Sequence, residues 1–281
     1  GISGIIGGYI YEHSTENPVP ILCILISFLS CLAGAVILSL IYSFLTISLR
    51  ANQNVTGLAL TTFGVGFGNF FGGSLLNFFG ESGSISLIET GKAYKSYLPI
   101  ADKTGIFGQT FLSFGFLAYL AVIIALVASF VLNRTRVGLN LRAVGENPAT
   151  ADAAGINVTL YKYLSTCIGG AIAGLGGLYF VMDYTAGAWT NDGFGDRGWL
   201  AIAIVIFAIW RPKSAIFSSF LFGGLYIICV YIPGLSSSAK ELIKMLPYVV
   251  TIVVLVLISV RKKRENQPPA HLGLNYFREE R

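Results

Sequence analysis

Residue types that could carry out catalysis or bind a metal ion are few and widely separated in this chain of 281 residues. It has only two histidines, His13 and His271, so neither a histidine triad nor an HExxH zinc motif can form. The four cysteines lie in apolar stretches without CxxC spacing, which is typical of small buried hydrophobic residues. The closest approach to a phosphate-binding loop is SLIETGKA, where Ser86 replaces the first glycine and Ala93 replaces the final Ser or Thr. The chain is therefore expected not to be an enzyme, and no cofactor or metal is predicted.

The composition excludes an ordinary soluble domain. Charged residues make up 12% of the chain, about half of the usual share, while hydrophobic residues make up 54% and the mean hydropathy is +0.70. Too few charges remain to cover a soluble surface or to keep a chain disordered. The net charge of +5 would suggest a nucleic-acid partner only if the basic residues formed one soluble patch, so their positions must decide.

Seven stretches contain no Asp, Glu, Lys or Arg, and they are 17–49, 51–80, 104–133, 163–182, 198–210, 214–239 and 245–260. Five of them exceed the roughly 18 to 20 residues that cross a bilayer core as a helix. The stretch 198–210 is short, and it is either a half-helix or a full span extended by its polar lead-in. Residues 1–11 are similar to the last turns of one further span. The predicted fold is all-α: a polytopic inner-membrane helical bundle of about seven spans plus a truncated N-terminal span.

The distribution of Lys and Arg predicts the orientation. If the chain crosses at each stretch and the RKKR cluster that begins at Arg261 is cytoplasmic, 13 cationic residues fall inside and 6 fall outside. This excess obeys the positive-inside rule. It predicts a transmembrane domain over residues 1–260, a cytoplasmic C-terminal tail over 261–281, and no nucleic-acid partner. We therefore expect a multi-pass membrane protein with its C-terminus in the cytoplasm.

Glycines recur every four residues at three places. Gly64, Gly68 and Gly72 form two overlapping GxxxG steps, and single steps join Gly170 to Gly174 and Gly4 to Gly8. Such spacing favours close packing between membrane helices. Glycines can also thin a helix beside a permeation pathway, and the two interpretations are compatible.

No charged residue falls in the middle of a predicted span, although ion-driven transporters usually carry a buried one. The nearest candidates are Asp183, Asp192, Asp196 and Arg197 in an outer loop. That loop is either a solvated connection with a local ion pair or a substrate gate. Three classes of membrane protein remain to be weighed. One is a secondary transporter of a small neutral solute, which would need a coupling carboxylate within a span. The others are an intramembrane enzyme and a membrane scaffold.

The longest inner loop, 133–158, carries the signals of a short helix. Asn147 suits the N-cap, Pro148 suits the first position, and Gly155 suits a left-handed stop after ATADAA. The pattern predicts about two turns of helix at the inner face of the membrane. This helix is either a structured connector or a docking element for a cytosolic partner.

The run VGLNLRAVGENPATADAAGI resembles the coupling segment of bacterial ABC importer permeases in the branched-chain amino acid, ribose and nucleoside permease superfamily. The segments RANQNVTGLAL, GDRGWLAIAIVIFAIWRP and HLGLNYFREER are similar to the nucleoside, or simple sugar, branch. The match is collinear from about residue 1 to the C-terminus. It departs at the start, where the usual first helix and the motif leading into the second are absent.

The resemblance implies a pore formed with a second permease subunit, cytosolic ABC ATPase subunits that hydrolyse ATP, and an extracellular substrate-binding lipoprotein, all at the lipid bilayer. It assigns ATPase coupling to a segment over 144–156, with contacts expected from Gly145, Glu146, Asn147, Pro148, Ala151, Asp152, Ala154 and Gly155. A nucleoside or simple sugar is neutral, so polar and aromatic side chains suffice to line its pathway. The candidate lining residues are Asn54, Thr61, Thr62 and Asn69, with Phe67 or Phe70 offering a stacking face.

Overall fold

The computed structural model of the protein describes residues 1–78, 85–96, 105, 112–195, 197–232, 236–261 and 268–277. Helices account for most of these residues, and the only bridge of β type among them is an isolated one between Ser86 and Ala188. The all-α prediction is therefore confirmed. Asp196, Lys262 to Arg264 of the basic cluster, and Arg278 to Arg281 of the tail lie outside the described residues.

Helices occur throughout the described part of the chain. They are α1 (Ile2–Ser14), α2 (Pro20–Ser43), α3 (Gln53–Phe78), α4 (Ile88–Lys95), α5 (Phe116–Arg134), α6 (Arg136–Glu146), α7 (Pro148–Ala153), α8 (Val158–Tyr179), α9 (Arg197–Phe207), α10 (Pro212–Tyr231), α11 (Ser237–Lys244) and α12 (Leu246–Arg261). Single π-helical turns extend α2 over Phe44–Ser48 and α8 over Phe180–Tyr184. The chain divides into a first unit (1–121, 151–194 and 273–281) and a second unit (122–150 and 195–272).

Each of the seven charge-free stretches coincides with a helix in the described residues. Three helices are long and apolar enough to cross a membrane, namely Pro20–Ser48, Phe116–Arg134 and Val158–Tyr184. The protein is thus a multi-pass membrane protein. The stretch 198–210 forms α9, whose 11 residues extend only about 16 Å, close to half of a bilayer core. The helical part of this stretch is by itself too short to cross the core, so a crossing there requires the polar residues that precede it.

The first unit is built around α2, which packs against α1 and α8 through small side chains. Ser27, Cys31, Ala35 and Ser39 recur every four residues along α2 and form one ridge. A methyl group added at Gly174 of α8 would lie 2.5 Å from Cβ of Ala35, so the two backbones approach as closely as glycine allows. The thiol of Cys31 also donates a 3.2 Å hydrogen bond to the carbonyl of Gly174.

On α1, Gly4 and Gly8 pack against the same ridge. Added methyl groups at these two positions would meet the side chains of Leu178 and Ser27 at 2.6 and 2.5 Å. The packing interpretation of these glycines, and of Gly170 and Gly174, is therefore confirmed. Lipid does not drive helices together by the hydrophobic effect, so this close approach supplies the dispersion contacts that hold α1, α2 and α8 together.

One end of the first unit is closed by a loop over residues 185–194, and we call this the loop end. The N–H of Leu87 donates to the carbonyl of Gly187 at 3.1 Å, and the N–H of Trp189 donates to the carbonyl of Ile85 at 2.9 Å. The neighbouring helix α4 is held by the Tyr94 hydroxyl, which donates to the carbonyl of Ile24 at 2.8 Å. Burial raises the pKa of the Tyr94 phenol, so it remains a neutral donor.

The sequence SLIETGKA, which only partly resembles a phosphate-binding loop, has a structural role at the loop end. The Thr90 hydroxyl donates to the carboxylate of Glu12 at 2.8 Å, which ties the first turn of α4 to α1. Lys92 forms an exposed ion pair of 3.0 Å with Glu89 on its own helix. These contacts engage Glu89, Thr90 and Lys92 of the motif in interactions within the protein.

The second unit contains the short helix α9 together with α10, α11 and α12. The rings of Phe207 and Phe222 meet edge to face with centroids 5.3 Å apart, and Phe222 is fully buried. The guanidinium of Arg197 lies 5.8 Å from the ring centroid of Tyr226. Arg197 therefore begins α9 in contact with an aromatic face.

Candidate coupling segment and pathway helix

A pocket of about 510 Å3 lies at the other end of the first unit, and we call this the pocket end. It is lined by the π-helical turn after α2, the start of α3, the start of α8 and two residues of the C-terminal tail. The lining residues are Thr46, Ile47, Arg50, Gln53, Asp152, Gly155, Ile156, Asn157, Val158, Thr159, Lys162, Asn275 and Tyr276. Arg50, Asp152 and Lys162 are its charged members. The segments 50–60, 144–156 and 271–281, which are far apart in sequence, thus contribute to one site.

The predicted coupling segment forms the short helix that its sequence indicates. The side chain of Asn147 accepts a 3.0 Å hydrogen bond from the N–H of Thr150, and Pro148 is the first residue of α7. Gly155 adopts a left-handed conformation with φ of 82°, and its N–H donates to the carbonyl of Asp152. The predicted cap, first position and stop are confirmed, and α7 is six residues long.

The structure separates this segment into a buried face and an exposed face. Pro148 and Ala151 are buried, and Gly145 and Asp152 are partly buried. The exposed positions are Glu146, Asn147, Thr150, Ala153, Ala154 and Gly155. Thr150 and Ala153 are absent from the set expected from sequence, although successive helical steps of three residues from Asn147 would have indicated both.

The pathway candidates all lie on α3, which runs from the pocket end to the loop end. Counted at about 100° per residue, Asn54, Thr61, Thr62 and Asn69 share roughly one third of the helix circumference. Each of these four is exposed or partly exposed, and together they form what we call the polar stripe. The Thr61 and Thr62 hydroxyls donate to the carbonyls four residues earlier, at 2.8 and 3.1 Å.

The two aromatic candidates lie away from the polar stripe. Phe67 and Phe70 belong to a ladder of rings with Phe63 and Phe71, whose neighbouring centroids are 4.4 to 5.9 Å apart. Phe70 is 65% exposed. Within α3 the structure therefore brings the polar candidates together on one face and sets the aromatic candidates on another.

The loop end covers the polar stripe where α3 reaches it. The side-chain amide of Asn69 donates to the Asp192 carboxylate at 3.0 Å, and the Asp192 N–H donates to the Asn69 side-chain oxygen at 3.3 Å. The indole of Trp189 lies against Gly68 and Gly72, where an added methyl group would meet it at 3.4 and 2.0 Å. Gly64 has open space around it among the described residues, so packing explains two of these three glycines.

The other acidic candidate of this region lies within a helical turn. Asp183 belongs to the π-helical turn that ends α8, although the sequence placed it in the outer loop. Its Oδ2 is buried and has no hydrogen-bond partner among the described residues. Only Asp192, of the acidic residues described in this region, engages a pathway candidate.

Three long apolar helices define the class of the chain as a multi-pass membrane protein, and one further helix carries a neutral polar stripe. Residues 2–255 match the family described as branched-chain amino acid transport system / permease component, and the chain belongs to that family. It is the permease component of an ABC transporter, as the sequence resemblance predicted. The alternative of a secondary transporter is not supported.

Several curated relatives cover most of the chain. It is 34% identical over 257 residues to the nucleoside ABC transporter permease protein NupC of Lactococcus lactis, covering 89% of this chain and 78% of that protein. It is 30% identical over 234 residues to the guanosine ABC transporter permease protein NupQ of Bacillus subtilis, covering 82% and 72%. It is 32% identical over 224 residues to the putative glucose ABC transporter permease protein TsgC13 of Haloferax volcanii, covering 78% and 63%. A search of the solved structures found no match.

Proposed function

We propose that the chain is the pore-forming subunit of an importer for nucleosides. The polar stripe of α3 is the observation that carries this proposal, because its side chains are neutral donors and acceptors. A neutral solute with several hydroxyl and amide groups can exchange hydrogen bonds along such a surface, and no charged residue there would trap it. Two relatives that cover most of the chain are named for nucleoside or guanosine transport.

The sidedness predicted from Lys and Arg supports a cytoplasmic pocket end. If the chain crosses at each charge-free stretch, Arg50, Lys162 and the tail residue Tyr276 fall on the inner side, and all three line the same pocket. Glu12, Trp189 and Asp192 then fall on the outer side, and they belong to the loop end. We therefore infer an extracellular loop end, a cytoplasmic tail over 261–281 and about seven spans plus the partial one.

The exposed face of the coupling segment is the proposed contact with cytosolic ATPase subunits. Its exposed residues are small or polar, so this face leaves no large apolar patch in water when the partner is absent. A second permease chain would complete the pore, and an extracellular binding lipoprotein would deliver substrate to the loop end. The chain itself is proposed to have no catalytic role, with hydrolysis in the partner subunits.

The substrate assignment is tested by uptake in cells that lack their own nucleoside importers. When the chain is expressed with its ATPase, second permease and lipoprotein partners, we expect uptake of labelled guanosine that disappears when this chain is omitted. Labelled glucose is the matched comparison, because one relative is named for glucose. Glucose uptake without guanosine uptake would overturn the nucleoside assignment and leave the permease class intact.

The contact between Asn69 and Asp192 is proposed as an outer latch over the polar stripe. We expect Asn69→Ala to change the guanosine uptake rate about two- to tenfold, because it removes two hydrogen bonds, one of them to a carboxylate. Thr56→Val is the control, since Thr56 lies on α3 away from the polar stripe and its hydroxyl donates to the nearby carbonyl of Asn52 at 2.8 Å. Equal uptake by the Asn69→Ala protein and the parent would contradict the latch.

A further inference from the structure

The C-terminal tail makes directed contacts with two other parts of the pocket end. The Tyr276 hydroxyl donates a 2.9 Å hydrogen bond to Oδ2 of Asp152, and the side-chain amide of Asn275 donates a 2.7 Å hydrogen bond to the carbonyl of Arg50. The guanidinium of Arg50 lies 4.7 Å from the ring centroid of Phe277. Three successive tail residues therefore engage two separate segments of the chain.

The contact with Asp152 reaches the coupling segment itself. Asp152 is the fifth residue of α7, and its partly buried carboxylate points to the pocket rather than to the exposed face. A hydroxyl that donates to a carboxylate forms a charge-assisted hydrogen bond, which is stronger than one between neutral groups. The ring of Tyr276 also lies beneath the ammonium group of Lys162, 5.9 Å from the centroid, so one side chain touches both α7 and α8.

The contact with Arg50 supports a strained turn. Arg50 has a φ of 58°, a left-handed conformation that is unfavourable for a residue with a side chain. This turn connects the π-helical end of α2 to the start of α3. The Asn275 amide satisfies the carbonyl of Arg50 at that turn, so the tail also fixes the junction between the central helix and the pathway helix.

A helix of six residues cannot maintain its position by its own hydrogen bonds. If α7 moved freely against its neighbours, a displacement imposed on its exposed face would be lost in local bending. The hydrogen bond from Tyr276 to Asp152 is one of the described contacts that hold α7 in place. In the second unit, another residue near the C-terminus contacts the predicted coupling segment, because the N–H of His271 donates to the carbonyl of Gly145 at 3.0 Å.

We propose that the C-terminal tail is part of the coupling machinery, with Tyr276 as the positioning residue that holds α7 through Asp152 and transmits its movement to α2, α3 and α8. This inference rests on the proposed docking of ATPase subunits at the exposed face of the coupling segment. The tail itself would not contact the substrate. Its role is to keep the docked helix and the turn at Arg50 in one rigid arrangement.

The test uses the complete transporter in proteoliposomes and measures guanosine uptake per ATP hydrolysed. Tyr276→Phe removes the hydroxyl and keeps the ring over Lys162, so we expect this ratio to fall about three- to tenfold. Co-purification of the ATPase and the thermal midpoint should remain as in the parent. Leu274→Ala is the control, because Leu274 lies in the same tail and is 54% exposed.

A double substitution separates positioning from folding. In an Asp152→Ala background, Tyr276→Phe should have no further effect on uptake per ATP, since its partner is already absent. Three outcomes would each overturn the inference. Tyr276→Phe could lower uptake per ATP further in the Asp152→Ala background, it could leave uptake per ATP unchanged as a single variant, or it could abolish ATPase assembly. If substitutions at the exposed face leave ATPase assembly intact, the docking proposal fails instead, whatever the tail variants show.

Discussion

Ala153→Trp is expected to weaken assembly with the ATPase subunits about tenfold or more, which corresponds to about 1.4 kcal/mol of binding free energy. Ala153 is exposed and lies in the last turn of α7, next to Ala154 and the left-handed Gly155. A partner surface that fits a methyl group there has no room for an indole. The large ring points away from the body of the chain, so the fold should tolerate it.

The measurement is co-purification of tagged ATPase with the chain, followed by substrate-stimulated hydrolysis in proteoliposomes. Ala153→Ser is the matched control, because a hydroxymethyl group at the same position changes the volume little, and it should assemble like the parent. Ala151 is an unsuitable position for this test: it is 3% exposed, so a bulky residue there would disturb the fold before it reached a partner. Full assembly of the Ala153→Trp protein would show that α7 is only a structured connector.

The second large effect is expected at the contact between α2 and α8. Gly174→Leu should destabilise the protein by about 1–3 kcal/mol, because the new side chain must force the two helices apart or distort its own backbone. The first added carbon would already lie 2.5 Å from Cβ of Ala35, closer than two carbon atoms can approach. Neither the backbone of α8 nor the methyl group of Ala35 can move aside as a flexible side chain would.

The control variants come from the same helix. Gly169 and Gly176 have no atom of the described residues within 4 Å of an added Cβ, so leucine at either should leave the thermal midpoint in detergent near that of the parent. Because all three positions lie in α8, helix propensity changes equally and cancels in the comparison. An equal loss of stability at Gly174 and Gly176 would show that the close approach to Ala35 does not stabilise the fold. Partial recovery in Gly174→Ala when Ala35→Gly is added would identify the clash directly.

The class of the protein and most of its helices could be predicted from the sequence because their signals are local. Five of the seven charge-free stretches are long enough to cross a bilayer core, where a single segment can satisfy its own backbone hydrogen bonds only as a helix. The helix α7 could be predicted for a similar reason: Asn147 satisfies an amide three residues away, and Gly155 permits the left-handed stop. These interactions depend only on neighbouring residues, so no knowledge of the fold was needed.

The contacts that define the site could not be predicted in this way, because they join residues far apart in the chain. The glycine spacing is the same at Gly64 as at Gly174, yet only Gly174 has a helix close to it among the described residues. The thiol of Cys31 and the carbonyl of Gly174 are 143 residues apart. Which small residues meet depends on how α1, α2 and α8 pack, and spacing along one helix carries no information about its partner.

The sequence alone therefore determined that the chain is a multi-pass membrane protein, through its scarcity of charge, and that α7 is a short capped helix. Hydropathy and capping act over a few residues, so neither depends on the fold. Only the tertiary structure decided which face of α7 is exposed, that the polar stripe ends beneath Asp192, and that Tyr276 reaches Asp152 across 124 residues. The physical reason is that burial and long-range hydrogen bonds are properties of the packed chain. Each exists only after helices distant in sequence have been brought together.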